Sequence, residues 1–427
     1  MAPPGSPRRL AVVGAGWAGL AAAVEGVQAG HRVTVFEMAG VPGGRARDVR
    51  SGDLVLDNGQ HILIGAYVET LRLMRQVGVE ERTVLLRTPL RLGDAAGRGL
   101  YLRGGSPIAA FVGAVARRKG WGWADRLSLL SAAGGWSLRR FDCDPALTVA
   151  ALTRGLRAAV RRDLVEPLCV AALNTPADAA SAQVFLRVLR DALFAGPGSA
   201  DLLLPRAGLG ALFPLPAARW LAHAGATLHT TRRVMAIERE PQGWQVDGEP
   251  FDAVVVATPP GEAARLIGPT DAAWAAVAGG LGYEPIVTVY ARSKATRLPD
   301  PMLAMDCDAE QPAQFVFDRG QLGGPAGLLA FVISGAAPWV EHGTDATTQA
   351  ALAQARRQLG PLLRGPLEPV QTLVEKRATF RCTPGLARAR SAIAPGLFAV
   401  GDHVDGPYPA TLEGAVRSAV AAVRALG

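Results

Sequence analysis

A strand, a glycine-rich turn and a helix open this chain, and no other feature constrains its fold as tightly. Leu10 to Val13 is a short apolar run. Gly14-Ala15-Gly16-Trp17-Ala18-Gly19 follows, and the alanine-rich stretch from Ala18 to Ala29 reads as a helix before a second strand, Arg32 to Phe36. A G-x-G-x-x-G spacing arises by chance in a chain with 50 glycines, but here it lies between a strand and a helix, where each glycine has a physical task. The first makes the tight turn, the second lets backbone N–H groups approach a pyrophosphate, and the third permits close helix–strand packing. The helix N-terminus, at Gly16, Trp17 and Ala18, adds partial positive charge facing the phosphates. Glu37 closes the second strand, where a carboxylate accepts hydrogen bonds from ribose hydroxyls.

Nicotinamide and flavin dinucleotides share this fingerprint, and residues elsewhere separate them. Gly43-Gly44-Arg45 lies just past Glu37, and the Arg45 guanidinium suits a charge-assisted contact with the pyrophosphate. Near the other end, Leu397 to Val400 reads as a strand that delivers Gly401 and Asp402 to the cofactor. Thr411, Leu412 and Ala415 open a last helix, whose N–H groups can stabilise the electron-rich edge of a reduced isoalloxazine. A nicotinamide has no use for this second half-site, so the pattern points to FAD. The expected architecture is α/β: a Rossmann-like FAD-binding domain interrupted by an inserted α+β substrate domain. The FAD-binding domain is expected to be discontinuous, over 1–80, 200–262 and 385–427, and the substrate domain to occupy 81–199 and 263–384. From Tyr67 to Leu193 the pattern is mainly helical. A helix is expected over Leu209 to Ala224, with strands over Thr227 to Thr230, Val234 to Glu238, Phe251 to Ala257, Ile286 to Ala291 and Leu328 to Ile333.

Charge and cysteine usage bound the rest. The net charge is +8, carried by arginine, since Lys119, Lys294 and Lys376 are the only lysines. No nucleic-acid module or dense basic run accompanies it, so no nucleic-acid partner is expected. Cys143, Cys169, Cys307 and Cys382 show neither C-x-x-C pairing nor metal spacing, which suggests reduced thiols in a cytoplasmic protein and no metal site. Arg8-Arg9 before an apolar run resembles a twin-arginine signal, but the glycine spacing of that run favours a strand turning into a helix. Gln321 to Val340 is uncharged over a length that would cross a bilayer. Its glycines and prolines favour a buried strand, Leu328 to Ile333, between turns.

Taken together, GAGWAGL, Glu37, GGR, VVVATPP (Val254 to Pro260) and the C-terminal GD and LEGAV motifs resemble the amine oxidase and phytoene desaturase superfamily of FAD enzymes, whose FAD domain is of the glutathione-reductase type. The resemblance spans nearly the whole chain, with the motifs in order. It implies that Val234 meets the adenine through its backbone and that the segment Asp57-Asn58-Gly59-Gln60-His61 passes the flavin ring, giving Gly59, Gln60 and His61 as contacts. Amine oxidases of this superfamily place an aromatic residue just before the helix-opening residue of the last motif. This chain has Thr411 at that point, with Tyr408 displaced, which argues against an amine substrate. His403-Val404-Asp405 also departs from the family continuation after Asp402.

Asp57 to Tyr67, Pro205 to Trp220 and Ala378 to Leu386 are similar to the squalene-associated, desaturase-like branch, the hydroxysqualene dehydroxylases of hopanoid biosynthesis. That likeness implies reductive removal of the hydroxyl of hydroxysqualene by reduced FAD, giving squalene, in a dry hydrocarbon-lined site. A carotenoid-type desaturase, a flavin amine oxidase and a flavin-containing scaffold for squalene-synthase-like enzymes are the alternatives. Asp57 and His61 are the candidate proton donors; the competing reading makes Asp57 a turn cap and His61 a backbone contact. Cys382 lies near the position at which some amine oxidases attach flavin covalently, but its surroundings fit the dehydroxylase pattern, so FAD is expected to be non-covalent. Arg117-Arg118-Lys119 beside Trp121 and Trp123 has two readings: a seat on the inner membrane surface for a peripheral enzyme, or a solvated basic turn beside a packed helix.

Overall fold

The computed structural model describes residues 7–103, 106–193 and 195–426. Its centre is a six-stranded sheet in the order Thr227–His229, Arg32–Phe36, Arg9–Val13, Ala253–Val256, Leu397–Ala399 and Ala392–Ala394. The first five run parallel and the last is antiparallel at the edge. Covering helices bury both faces of a parallel sheet, so its strands read as unbroken apolar runs rather than alternating ones. In Arg9–Val13, Leu10 and Val12 face the cluster that holds helices Trp17–Gln28 and Leu412–Leu426. Ala11 and Val13 face the opposite cluster, with Trp244, Leu266 and Trp274. The sheet therefore joins segments from the start, middle and end of the chain.

A second, antiparallel sheet runs Met302–Ala304, Phe315–Asp318, Leu328–Ile333, Tyr283–Ser293 and Leu367–Phe380. All six residues of Leu328–Ile333 are buried, which places the uncharged stretch around them inside the protein. Among the described residues, no helix is long and apolar enough to cross a membrane. One face of this sheet packs on a helical layer that includes Pro107–Arg117, Trp123–Leu138 and Ala182–Leu193. A three-stranded sheet, Leu63–Ile64, Leu202–Pro205 and Leu85–Thr88, stitches the halves together: Leu203 belongs to one core and Leu202 and Leu204 to the other.

Three expectations need correction. The helix over Leu209 to Ala224 is two helices, Leu209–Leu212 and Pro214–His223. Phe213 leaves helical geometry between them (φ −149°) because the ring of Pro214 crowds the residue before it. The strand expected from Val234 begins only at Ile237, since the Asp247 side chain takes the N–H groups of Met235 and Ala236 at 2.8 and 2.9 Å. The mainly helical stretch from Tyr67 to Leu193 also contains the strands Leu85–Thr88, Arg91–Gly93 and Gly99–Tyr101.

Candidate cofactor cradle and active site

Gly14 leaves the first strand at φ +103°, where a Cβ would lie 2.7 Å from the Ala257 carbonyl oxygen. A Cβ on Gly19 would stand 1.8 Å from the Gly14 oxygen, so the first helix can lie on the turn only with glycine there. Gly16 caps that helix, leaving the N–H groups of Trp17 and Ala18 without intrahelical acceptors. Glu37 is buried beside them. Its Oε2 accepts from Ala15 N–H at 2.6 Å and its Oε1 from Ala39 N–H at 2.8 Å, with lone pairs left for hydroxyl groups. Gly43 N–H donates to the Ala15 oxygen at 2.8 Å, which lays Gly43-Gly44 against the turn. Val234 is buried. Its carbonyl accepts from Arg265 at 2.7 Å, while its N–H has no acceptor among the described residues.

Arg45 and Asp402 bring the two ends of the chain to one place: Nη2 stands 2.5 Å from Asp402 Oδ1, and Nη1 donates to the Ala378 oxygen at 2.8 Å. The nearby carboxylate raises the guanidinium pKa. Gly401 N–H donates to Ser418 Oγ at 2.9 Å, fastening this loop to the last helix. Two polar atoms beyond the ends of these strands, Thr258 Oγ1 and His403 Nε2, are buried without a partner among the described residues. Burial pulls the His403 pKa down to about 4. An orphaned buried polar atom costs about 1–3 kcal/mol, so these atoms mark where a polar ligand completes the structure. The crevice beyond the carboxyl ends of parallel strands is where such sheets bind ligands. The glycine turn, free helix N–H groups, acid, guanidinium and two orphans fit a dinucleotide.

Thr411 caps the last helix: its Oγ1 accepts from Gly414 N–H and donates to the Tyr408 oxygen, both at 2.9 Å. Leu412 and Ala415 form its first turn. Gln60 is buried, its Oε1 accepting from Arg319 Nη1 at 3.1 Å. His61 Nδ1 is 2.6 Å from the Gly59 oxygen. A carbonyl only accepts, so the ring proton sits on Nδ1 and Nε2 is left as an acceptor. Burial lowers the His61 pKa and keeps the ring neutral. Asp57 is 1% exposed, and burial lifts its pKa to about 6. Its Oδ1 accepts from Leu209 N–H at 3.0 Å, capping the short helix there, and its Oδ2 is 3.9 Å from Arg319 Nη2.

Beside the last helix, the helical layer and the second sheet enclose a cavity walled by aliphatic and aromatic side chains, among them Ile62, Leu100, Phe111, Trp136, Phe185 and Phe315. Among the described residues, the polar side chains on its wall are Tyr67, Asp191, Tyr408, Thr411 and Glu413. Neither Asp57 nor His61 borders it, so the geometry gives neither the position of a proton donor to a molecule held there. Asp191 and Tyr67 carry no sequence signal for such a place: one looks like the polar face of an amphipathic helix, the other like the end of a turn. Burial pushes the Cys382 thiol up to about 12, far from a reactive thiolate.

The basic turn divides in two. Arg118 and Trp121 are buried, stacked with 5.2 Å from the guanidinium carbon to the ring centroid, and both engage Asp163. They therefore leave the exposed set. Trp123 (82% exposed), Ile108, Leu127 and Arg117 face solvent on the two helices whose inner faces give Phe111 and Trp136 to the cavity, and exposed Lys119 lies in the turn between those helices.

The sequence profile of the family described as flavin containing amine oxidoreductase matches residues 17–427. A protein named hydroxysqualene dehydroxylase from Sinorhizobium fredii is 26% identical, over 96% of this chain and 96% of its own length. Another of that name, from Rhodopseudomonas palustris, is 29% identical over 95% of each. Among solved structures, an oxidoreductase from Methanosarcina mazei superposes with a TM-score of 0.77 over 97% of this chain and 100% of that one, at 17% identity, which establishes a shared fold.

Proposed function

This chain belongs to the family of flavin-containing amine oxidoreductases and is a flavin-dependent oxidoreductase, and from that premise we propose that it removes the hydroxyl group of hydroxysqualene reductively, using non-covalent FAD, to form squalene. The observation that carries this reading is the hydrocarbon-walled cavity at the start of the last helix. A long isoprenoid alcohol matches such a wall, and a small charged amine does not. FAD would lie in the cradle: Glu37 and Val234 would hold the adenosine half, Gly14, Gly16, Trp17, Ala18, Gly43, Gly44 and Arg45 the diphosphate, and Gly59, Gln60, His61, Gly401, Asp402, Thr411, Leu412 and Ala415 the flavin half. Bound and reduced, FAD would supply the hydride that replaces the hydroxyl group and the proton with which that group departs as water.

The residues of the chain do the rest. Apolar walls keep out bulk water, which would return an allylic cation to the alcohol. Thr411 caps the last helix, whose N-terminal N–H groups would stabilise the electron-rich edge of the reduced flavin. The high thiol pKa of Cys382 supports non-covalent attachment. We assign the cradle to 1–80, 200–262 and 385–427, and the cavity unit to 81–199 and 263–384. The protein works in the cytoplasm against the inner membrane face, beside squalene-synthase-like enzymes that supply the alcohol. Trp123, Ile108 and Leu127 enter the lipid interface, with Arg117 and Lys119 above it.

Anaerobic incubation of the photoreduced protein with hydroxysqualene tests the activity. Squalene formation with stoichiometric flavin reoxidation is expected. Phytoene dehydrogenation in its place would identify a desaturase, and inertness towards both a scaffold. For the membrane seat, replacing Trp123 with Ala and both Arg117 and Lys119 with Glu should abolish co-sedimentation with anionic liposomes; unchanged binding refutes it.

A further inference from the structure

Among the described residues, the polar side chains of the cavity wall other than Tyr67 form one connected group, and Tyr67 lies beside it, next to Glu413. Arg417 links them: its Nε donates to Glu413 Oε1 at 2.6 Å, and its guanidinium carbon lies 4.7 Å from the centroid of the Tyr408 ring. Glu413 is spent on Arg417, Thr70 and Glu69, and Thr411 on Gly414 and Tyr408. Two phenols remain to address a ligand. Tyr408 donates its proton to Asp191 Oδ2 at 2.8 Å, which leaves its oxygen lone pairs as an acceptor. Tyr67 has a hydroxyl with no partner among the described residues, and burial beside Glu413 raises its pKa, so it keeps its proton and remains a donor. The wall of a hydrocarbon chamber thus presents one unused donor and one unused acceptor.

An alcohol is both acceptor and donor through a single oxygen. Resting on the proposed dehydroxylation, we propose that Tyr67 and Tyr408 are the specificity-determining pair that holds the single hydroxyl of the isoprenoid alcohol, Tyr67 donating to its oxygen and Tyr408 accepting from it, with Asp191 orienting Tyr408. A hydrocarbon of the same length leaves the Tyr67 proton unpaired in a dry cavity, and sites built to bond a hydroxyl discriminate strongly against ligands lacking it. The same contact discharges the product, because squalene no longer satisfies Tyr67. Tyr67 also places its O–H on the oxygen as the C–O bond breaks.

Binding of hydroxysqualene and of squalene to the oxidised, flavin-loaded protein, read by tryptophan quenching, tests the pair without turnover. The wild type should prefer the alcohol roughly tenfold. Tyr67→Phe and Tyr408→Phe should each erase most of that preference with the flavin spectrum unchanged, Tyr67→Phe by binding the alcohol more weakly and squalene at least as tightly as the wild type. Asp191→Asn should have a smaller effect in the same direction. A wild type without preference, or Phe variants that retain it, overturns the assignment. Failure of the wild type to turn over hydroxysqualene would refute the proposed reaction instead, and the binding comparison would still stand or fall by itself.

Discussion

Asp57 and His403 are buried groups whose charged forms the fold resists, and their effects on stability run in opposite directions. The Asp57 pKa rises from 3.8 to about 6. Its contribution is therefore complete below pH 3.8 and is lost as pH climbs through 6, by roughly 3 kcal/mol at about 1.4 kcal/mol per unit. The His403 pKa falls from 6.5 to about 4. Its contribution is complete above pH 6.5 and is lost as pH drops through 4, again by roughly 3 kcal/mol. Thermal unfolding of flavin-free protein between pH 4 and 7 should show the two separated by substitution. Asp57→Asn makes the protein gain stability more steeply as pH rises, and His403→Gln flattens or reverses that gain. Parallel curves for wild type and both variants would contradict the assignment. The Arg319 contact lowers the Asp57 pKa without cancelling the burial effect, so at pH 7 relief of the buried charge in Asp57→Asn outweighs loss of the countercharge.

At the scale of elements, the last helix does two jobs. Its own N-terminus is capped by Thr411, and its Glu413, 1% exposed, caps another helix. Glu413 Oε1 accepts from Glu69 N–H at 3.1 Å, and its Oε2 from Thr70 N–H at 3.0 Å and Thr70 Oγ1 at 2.7 Å, at the start of Val68–Gln76. The native cap position, Tyr67, offers no side-chain bond of its own. Glu413→Ala should cost about 2–4 kcal/mol by stranding these donors and Arg417, measured by denaturant unfolding, with faster amide exchange at Glu69 and Thr70. The first helix depends on a glycine in a different way. Gly19→Ala puts a methyl group 1.8 Å from the Gly14 oxygen, so the turn must open. The variant should fold yet lose flavin on desalting, read as a fall in the ratio of 450 to 280 nm absorbance.

At the scale of the molecule, the cradle exists because distant stretches of chain meet. The Arg45–Asp402 pair spans 357 positions, with Asp402 just beyond the strand Leu397–Ala399. Asp402→Ala frees Arg45 and removes one wall, and should weaken FAD at least tenfold, as expected for losing a charge-assisted contact. Added FAD should raise the unfolding temperature of the wild-type apoprotein and that of the variant much less at equal concentration. An equal rise in both would remove Asp402 from the cofactor site.

Local patterns alone determined the βαβ start, the glycine turn, Glu37 and the two-ended cofactor motif, because turn geometry and backbone approach to phosphate demand particular residues at fixed spacing. The apolar strands were legible for the same reason: strands buried on both faces show as unbroken hydrophobic runs. The break at Phe213 was also written in the chain, in the proline that follows it. What only the tertiary structure decided was which side chains share a wall. Tyr67, Asp191 and Tyr408 come from three separate segments and look ordinary in each. Arg118 and Trp121 look like a surface patch until packing against Asp163 turns them inward. Sequence spacing fixes which backbone shapes are possible, whereas burial and pairing depend on what the rest of the chain brings alongside.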